Sequence, residues 1–310
     1  MLLIEHQGPP IKPRALMHGD KIRLVSPAST PDQEGVARCQ DLLESLGFQV
    51  ELGRHVFDRL GYLAGRDEDR LADLNDALND PDVRAIVATR GGKGAYRIAD
   101  KLDLGRFRDN PKLLIGFSET TILHLAIWHQ AKTAGLHGAC WDAARFGEIS
   151  AKTFEQGIRS AEPITITSSL NDLTATLTTS GKARGILMGG NLDMIASAAG
   201  WILPSLEGTI LLIEDVRKGL GQVDRNLTRL LNSGCLHGIT GIAVGQFTDF
   251  EEAAGWSVID VLRGRLAPLQ VPILGGLPIG HGPNAMALAI GSQAVLDANA
   301  KILTVESAVA

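Results

Sequence analysis

Between residues 21 and 132, short β-branched or leucine-rich runs alternate with longer stretches of helical period, and this alternation leaves few folds open to the chain. Strands separated by helices pack stably as a parallel sheet wrapped by those helices. The pattern predicts strands over residues 21–26, 48–52, 83–88 and 112–117, with helices over 30–46, 67–78, 95–102 and 119–132. The first helix opens on Thr30-Pro31-Asp32-Gln33. Thr30 reads as its cap, Pro31 suits the first helical position, and Gln33 completes a capping box. Gly47 reads as its stop. Leu71, Leu74 and Leu78 share a face of the second helix, and Ile122, Leu125, Ala126 and His129 a face of the last.

The character of the chain changes over 147–182, which opens on a short helix and then becomes rich in Ser and Thr, as in 164–169 and 174–180. Beyond it, strands are predicted over 208–214 and 241–245, a helix over 223–232 ending at Gly234, and a hairpin from 293–296 and 301–305 around Asp297-Ala298-Asn299-Ala300. The length of 310 residues suits two domains. The expected class is α/β. A flavodoxin-like parallel-sheet domain is placed over 1–150, a linker over 151–182, and a smaller β-rich α/β domain over 183–310.

Charge and composition exclude several functions. Lys plus Arg number 30 against 35 for Asp plus Glu, so the net charge of −5 does not favour a nucleic-acid or membrane-surface binder. Aromatics at 5% argue against stacking platforms for single strands. Cys39, Cys140 and Cys235 are scattered and form no CxxC pair, so neither a disulfide framework nor a zinc site is expected. The histidines lack HExxH spacing, and no metal or other cofactor is expected. Met1-Leu2-Leu3-Ile4-Glu5-His6 lacks the basic and apolar regions of a signal peptide, and no apolar run has transmembrane length, so a cytoplasmic protein is expected.

Chemistry is sought at the C-terminal ends of the strands, where parallel sheets bind ligands. Arg90-Gly91-Gly92-Lys93-Gly94 follows one strand. Its glycines let backbone N–H groups approach an anion closely, or simply make a tight turn. It is neither a P-loop, since Lys93 precedes Gly94, nor a dinucleotide fingerprint, since counting from Gly92 ends on Arg97. Gly116-Phe117-Ser118-Glu119 joins a strand to a helix. Ser118 is raised above the sheet edge as in a nucleophile elbow, or caps the helix. In Gly280-His281-Gly282-Pro283-Asn284, His281 suits a general base or is a surface histidine. Glu214-Asp215 ends an apolar strand, where a carboxylate can orient a histidine or be an ordinary strand-end acid.

Taken together, these blocks resemble the LD-carboxypeptidases, a serine-peptidase family that includes muramoyltetrapeptide carboxypeptidases and microcin C immunity peptidases. The resemblance runs nearly the whole length. It is carried by Gly19-Asp20-Lys21-Ile22, Ser26-Pro27-Ala28-Ser29, Gly61-Tyr62-Leu63-Ala64-Gly65, Asp67-Glu68-Asp69-Arg70, Arg90-Gly91-Gly92, Gly116-Phe117-Ser118, Gly189-Gly190-Asn191-Leu192, Glu214-Asp215, Asp224-Arg225 and Gly280-His281. It implies Ser118 as nucleophile, His281 as general base and Glu214 as the carboxylate orienting it. It also implies an oxyanion hole from the N–H groups of Gly92 and Glu119. Arg90, Lys93 and Asn191 are expected to touch substrate. The implied substrate is a murein tetrapeptide that loses its terminal D-Ala in cell-wall recycling, and the implied assembly is a homodimer. A microcin C immunity-type peptidase acting on a peptidyl-nucleotide-like amide is the alternative, and would want a stacking aromatic near the site. A non-catalytic peptide- or sugar-binding α/β protein is a second. The chain departs from the family pattern at Glu119, where aspartate is common, at Lys93, where tyrosine is common, and at His137-Gly138-Ala139-Cys140, the pocket wall. With Ser118 and Gly92 in one half and Glu214 and His281 in the other, the site is expected in the cleft between domains.

Overall fold

Two β-sheets carry the chain in the computed structural model, which describes residues 9–139 and 147–310. The amino-terminal segment 1–6, Cys140 and Trp141 lie outside the described residues. In the first half, β1 (Lys21–Val25), α1 (Gln33–Ser45), β2 (Gln49–Leu52), α2 (Asp67–Asn79), β3 (Val83–Ala88), β4 (Leu113–Ile115), α3 (Thr121–Ala131) and β5 (Gly135–His137) follow in order. The strands pair in parallel as β5-β4-β3-β1-β2, the flavodoxin-like order. β3 is buried along nearly its whole length, as a strand covered on both faces must be.

In the second half, α4 (Glu148–Arg159) leads to β6 (Ile164–Thr167), β7 (Lys182–Asn191), α5 (Leu192–Ala198), β8 (Thr209–Val216), α6 (Leu220–Asn232), β9 (Gly241–Thr248), α7 (Val258–Leu266) and β10 (Ile273–Leu274). β7 to β10 are parallel neighbours. β11 (Leu288–Ile290) crosses back and pairs antiparallel with β5, extending the first sheet. β12 (Ser292–Asp297) and β13 (Ile302–Val305) form the expected hairpin, which joins β7 on one side and β6 on the other.

Three local expectations differ from what is found. Asp32, not Thr30, caps α1: its carboxylate accepts the Gly35 N–H at 2.6 Å. The Thr30 hydroxyl is engaged elsewhere, on the Asp58 carbonyl at 2.7 Å. Gly47 does end the helix, in the left-handed region at φ 86°. Over 95–102 the helix is two 3-10 turns, Ala95–Arg97 and Ala99–Lys101. The buried pairs Ala95–Ile98 and Ala99–Leu102 are three apart, the spacing that eclipses side chains in a 3-10 turn. Finally, the stretch 151–182 is more than connecting chain. It holds most of α4, where Gly157 seats closely on Leu136, and β6, which edges the second sheet.

Candidate active site

The C-terminal ends of β3 and β4 face those of β7 and β8 across a cavity of about 730 Å³. Arg90, Gly92, Lys93, Ser118, Glu119, Asn191 and His281 all line it. These residues come from both halves of the sequence.

β4 ends at Ile115 and the chain turns sharply through Gly116-Phe117-Ser118 into a 3-10 turn and α3. Ser118 has φ 61°, a left-handed conformation that costs a non-glycine residue about 1–3 kcal/mol. The strain lifts the hydroxyl above the sheet edge. Among the described residues, that hydroxyl makes no bond to the helix behind it, so the capping reading fails. Gly91 lies directly against it: a Cβ there would sit 2.9 Å from Ser118 Cβ and 3.1 Å from Oγ. Only glycine allows this approach.

Next to Ser118 the loop after β3 is tied down at several points. Ser29 N–H donates to the Gly91 carbonyl at 3.4 Å, and Lys93 N–H donates to Ser29 Oγ at 3.1 Å. The buried Arg70 donates to the carbonyls of Gly94, at 2.9 Å, and Pro27. The N–H groups of Gly92 and Glu119 have no hydrogen-bond acceptor among the described residues. Two backbone donors left open beside a strained serine suit a developing oxyanion.

The opposite wall carries the histidine. Glu214, near the end of β8, is fully buried, and its Oε2 accepts from His281 Nδ1 at 2.7 Å. Burial would push the Glu214 carboxyl up, but His281 beside it holds it below its ordinary value. Ionised Glu214 therefore fixes the proton on Nδ1 and leaves Nε2 to accept one. Gly280, at φ 131°, is required here, since a Cβ would lie 2.8 Å from Glu214 Oε2. The Gln246 side chain grips the loop just after His281, accepting the Gly282 N–H at 2.9 Å and donating to the Pro283 carbonyl at 3.0 Å. The His281 ring packs on Phe117 at 4.8 Å between centroids. Phe117 directly precedes Ser118, and among the described residues no hydrogen bond joins Ser118 and His281. Such bonds often tighten only when substrate binds.

The neighbouring acid behaves differently. Asp215 accepts from Asn191 Nδ2 at 3.1 Å and from the Val216 N–H at 2.9 Å. Burial, and then the Glu214 charge, push it up to about 6. Asn191 also receives the α3 helix, its N–H donating to Thr121 Oγ1 at 3.0 Å. His137 lies across Phe117 from His281, and burial pushes it down to about 4, so it is neutral at physiological pH. Asp193 accepts from Lys218 at 2.8 Å and from Asn226 at 3.0 Å. The Lys93 ammonium, by contrast, makes no hydrogen bond or contact ion pair among the described residues, although its charge helps to hold the Asp193 carboxyl low.

Several residues here were absent from the candidates read off the sequence. Ser29 and Arg70 lie inside resemblance blocks that assign them no task. Gln246 carries no local signal, because its role depends on a loop 36 residues away. Of the aromatics, Tyr96 lines the cavity, whereas Trp128, Trp201 and Trp256 do not.

Both halves of the chain match known protein domains. Residues 22–138 match the LD-carboxypeptidase N-terminal domain, and residues 184–296 the LD-carboxypeptidase C-terminal domain. A probable murein peptide carboxypeptidase of Bacillus subtilis is 33% identical, over 96% of this chain and 95% of that protein. The murein tetrapeptide carboxypeptidase of Pseudomonas aeruginosa is 32% identical, over 90% and 94%. The crystal structure of muramoyltetrapeptide carboxypeptidase from Oxalobacter formigenes superposes with a TM-score of 0.81 at 25% identity, over 94% of this chain and all of that one. Microcin C7 self-immunity protein MccF shares the fold, at TM-score 0.86 and 24% identity over 97% of this chain and all of that one. The two domain models follow each other in the same order along this one chain, which belongs to the LD-carboxypeptidase family.

Proposed function

We propose that this chain is a serine LD-carboxypeptidase that releases a terminal D-amino acid from a murein tetrapeptide. The observation that carries the reading is the convergence on one cavity of a strained serine, two open backbone N–H donors and a histidine held by a buried glutamate. The named activity of the similar murein carboxypeptidases supports the choice of substrate.

In this reading Ser118 attacks the scissile carbonyl while His281 Nε2 takes its proton. Glu214 stabilises the imidazolium that forms. The Gly92 and Glu119 N–H groups receive the oxyanion of the tetrahedral intermediate, where losing one donor typically costs ~10²–10³ in rate. His281 returns the proton to the leaving amine, and water then hydrolyses the acyl-enzyme. Lys93 and Arg90 offer positive charge beside the oxyanion loop, which suits the substrate's terminal carboxylate, and Asn191 lines the same wall.

Ser118→Ala tests the proposal. D-Ala release from a murein tetrapeptide should vanish with folding intact, and a fluorophosphonate should label the native protein at Ser118 only. Activity that survives the substitution, or that a chelator abolishes, sinks the serine mechanism. Turnover of a peptidyl-nucleotide amide in preference to the tetrapeptide would move the protein to the immunity-peptidase type.

A further inference from the structure

The two oxyanion donors come from different elements, Gly92 from the loop after β3 and Glu119 from the turn after β4. One oxygen can bond both only if their spacing is held, because useful donors lie at about 2.7–3.1 Å from it. The sheet does not hold that spacing by itself. The register between β3 and β4 ends at Val87 and Ile115, several residues short of either donor.

The Glu119 side chain bridges the gap. It is 3% exposed, and it reaches onto the neighbouring loop. Its Oε1 accepts the Gly94 N–H at 2.7 Å and the Ala95 N–H at 3.1 Å. Among the described residues, these are the hydrogen bonds that join the Gly91–Gly94 loop directly to the nucleophile turn. The other ties on the loop come from Ser29 and Arg70, which belong to different elements. Gly94 is held from both sides, its N–H by Glu119 and its carbonyl by Arg70 at 2.9 Å.

We propose that Glu119 is a positioning residue: its N–H is one oxyanion donor, and its carboxylate sets the distance to the other. A single residue thereby fixes both halves of the hole. The proposal rests on the serine reading above. It also accounts for burying an acid next to the nucleophile: among the described residues Glu119 makes no contact ion pair, and its side chain is anchored by backbone N–H groups, as a buried carboxylate must be.

The test compares Glu119→Ala and Glu119→Gln with the native protein in three measurements. These are the rate of fluorophosphonate labelling at Ser118, kcat and KM for tetrapeptide, and amide hydrogen exchange at residues 92–95. Glu119→Ala should lower labelling and kcat by ~10²-fold, the scale of a lost oxyanion donor. KM should move by less than about threefold, because the loss is confined to the transition state. Gly94 and Ala95 should exchange faster. Glu119→Gln keeps an oxygen where Oε1 stands and should stay within about tenfold of native, since neutral acceptors still bond N–H groups. Glu119→Gln as impaired as Glu119→Ala, or a Glu119→Ala protein that labels at the native rate, overturns the proposal. A loss appearing in KM alone overturns it too. If the native protein is not labelled, the serine reading falls, and the exchange data then decide the clamp alone: faster exchange at Gly94 and Ala95 upholds it, unchanged exchange overturns it.

Discussion

Replacing Glu214 by Gln removes one charge and little volume. The native carboxylate is fully buried and lies 2.7 Å from His281 Nδ1. When His281 takes the serine proton, the centres of the two charges stand roughly 4 Å apart. At an effective dielectric of about 20, that pair is worth ~4 kcal/mol. The substitution forfeits this term only after the proton has moved, so the loss falls on the transition state. At about 1.4 kcal/mol per factor of ten, kcat should drop ~10³-fold with KM nearly unchanged. The assay is D-Ala release from murein tetrapeptide under saturating and limiting substrate, with thermal unfolding as the control for folding. Combining the change with Ser118→Ala should cost nothing further, because the two residues act as a unit. A variant within tenfold of native kcat, or a double variant much worse than Ser118→Ala, would refute the reasoning that Glu214 works through His281.

Other outcomes follow from the same geometry. Ser118→Gly should abolish activity yet stabilise the fold by about 1 kcal/mol, because glycine adopts φ 61° without strain; equal melting temperatures for the Gly and Ala variants would contradict the strained elbow. Asp215 has its pKa raised from 3.8 to about 6, so the folded state holds its proton more tightly than the unfolded chain. Stability from this group is present below pH 3.8 and is lost as pH rises to about 6, by on the order of 2–3 kcal/mol. Asp215→Asn should therefore gain melting temperature over native across that window and keep the gain above it, and parallel pH curves would refute this. Gln246→Ala removes the two side-chain bonds to Gly282 and Pro283 and should lower kcat about tenfold, with a smaller effect on stability; unchanged kcat would show that the loop needs no such support.

The parts of this protein legible in the sequence are those set by neighbours along the chain. Period and β-branching marked β1 to β4 and the helices α1 and α2. Glycine spacing marked the turns at Gly91-Gly92, Gly116 and Gly280, where backbone must pass close to another group. Resemblance then attached tasks to Ser118, Glu214 and His281, which remain proposals for the experiments above. Local pattern erred where two chemically competent groups competed: Thr30 and Asp32 can both cap a helix, and a distant carbonyl at Asp58 engaged Thr30.

Other features were decided only by tertiary structure. Adjacent acids Glu214 and Asp215 look alike in sequence, yet one faces His281 and is held ionised while the other faces Asn191 and is pushed up to about 6. β11 returns to the first sheet across the whole second half of the chain. Gln246 and Arg70 act on loops tens of residues away. The physical reason is common to all of these. A side chain's intrinsic chemistry is written in its identity, but burial, the charge opposite it and the backbone group it bonds are properties of packing. Those exist only once the two sheets have closed around the cavity.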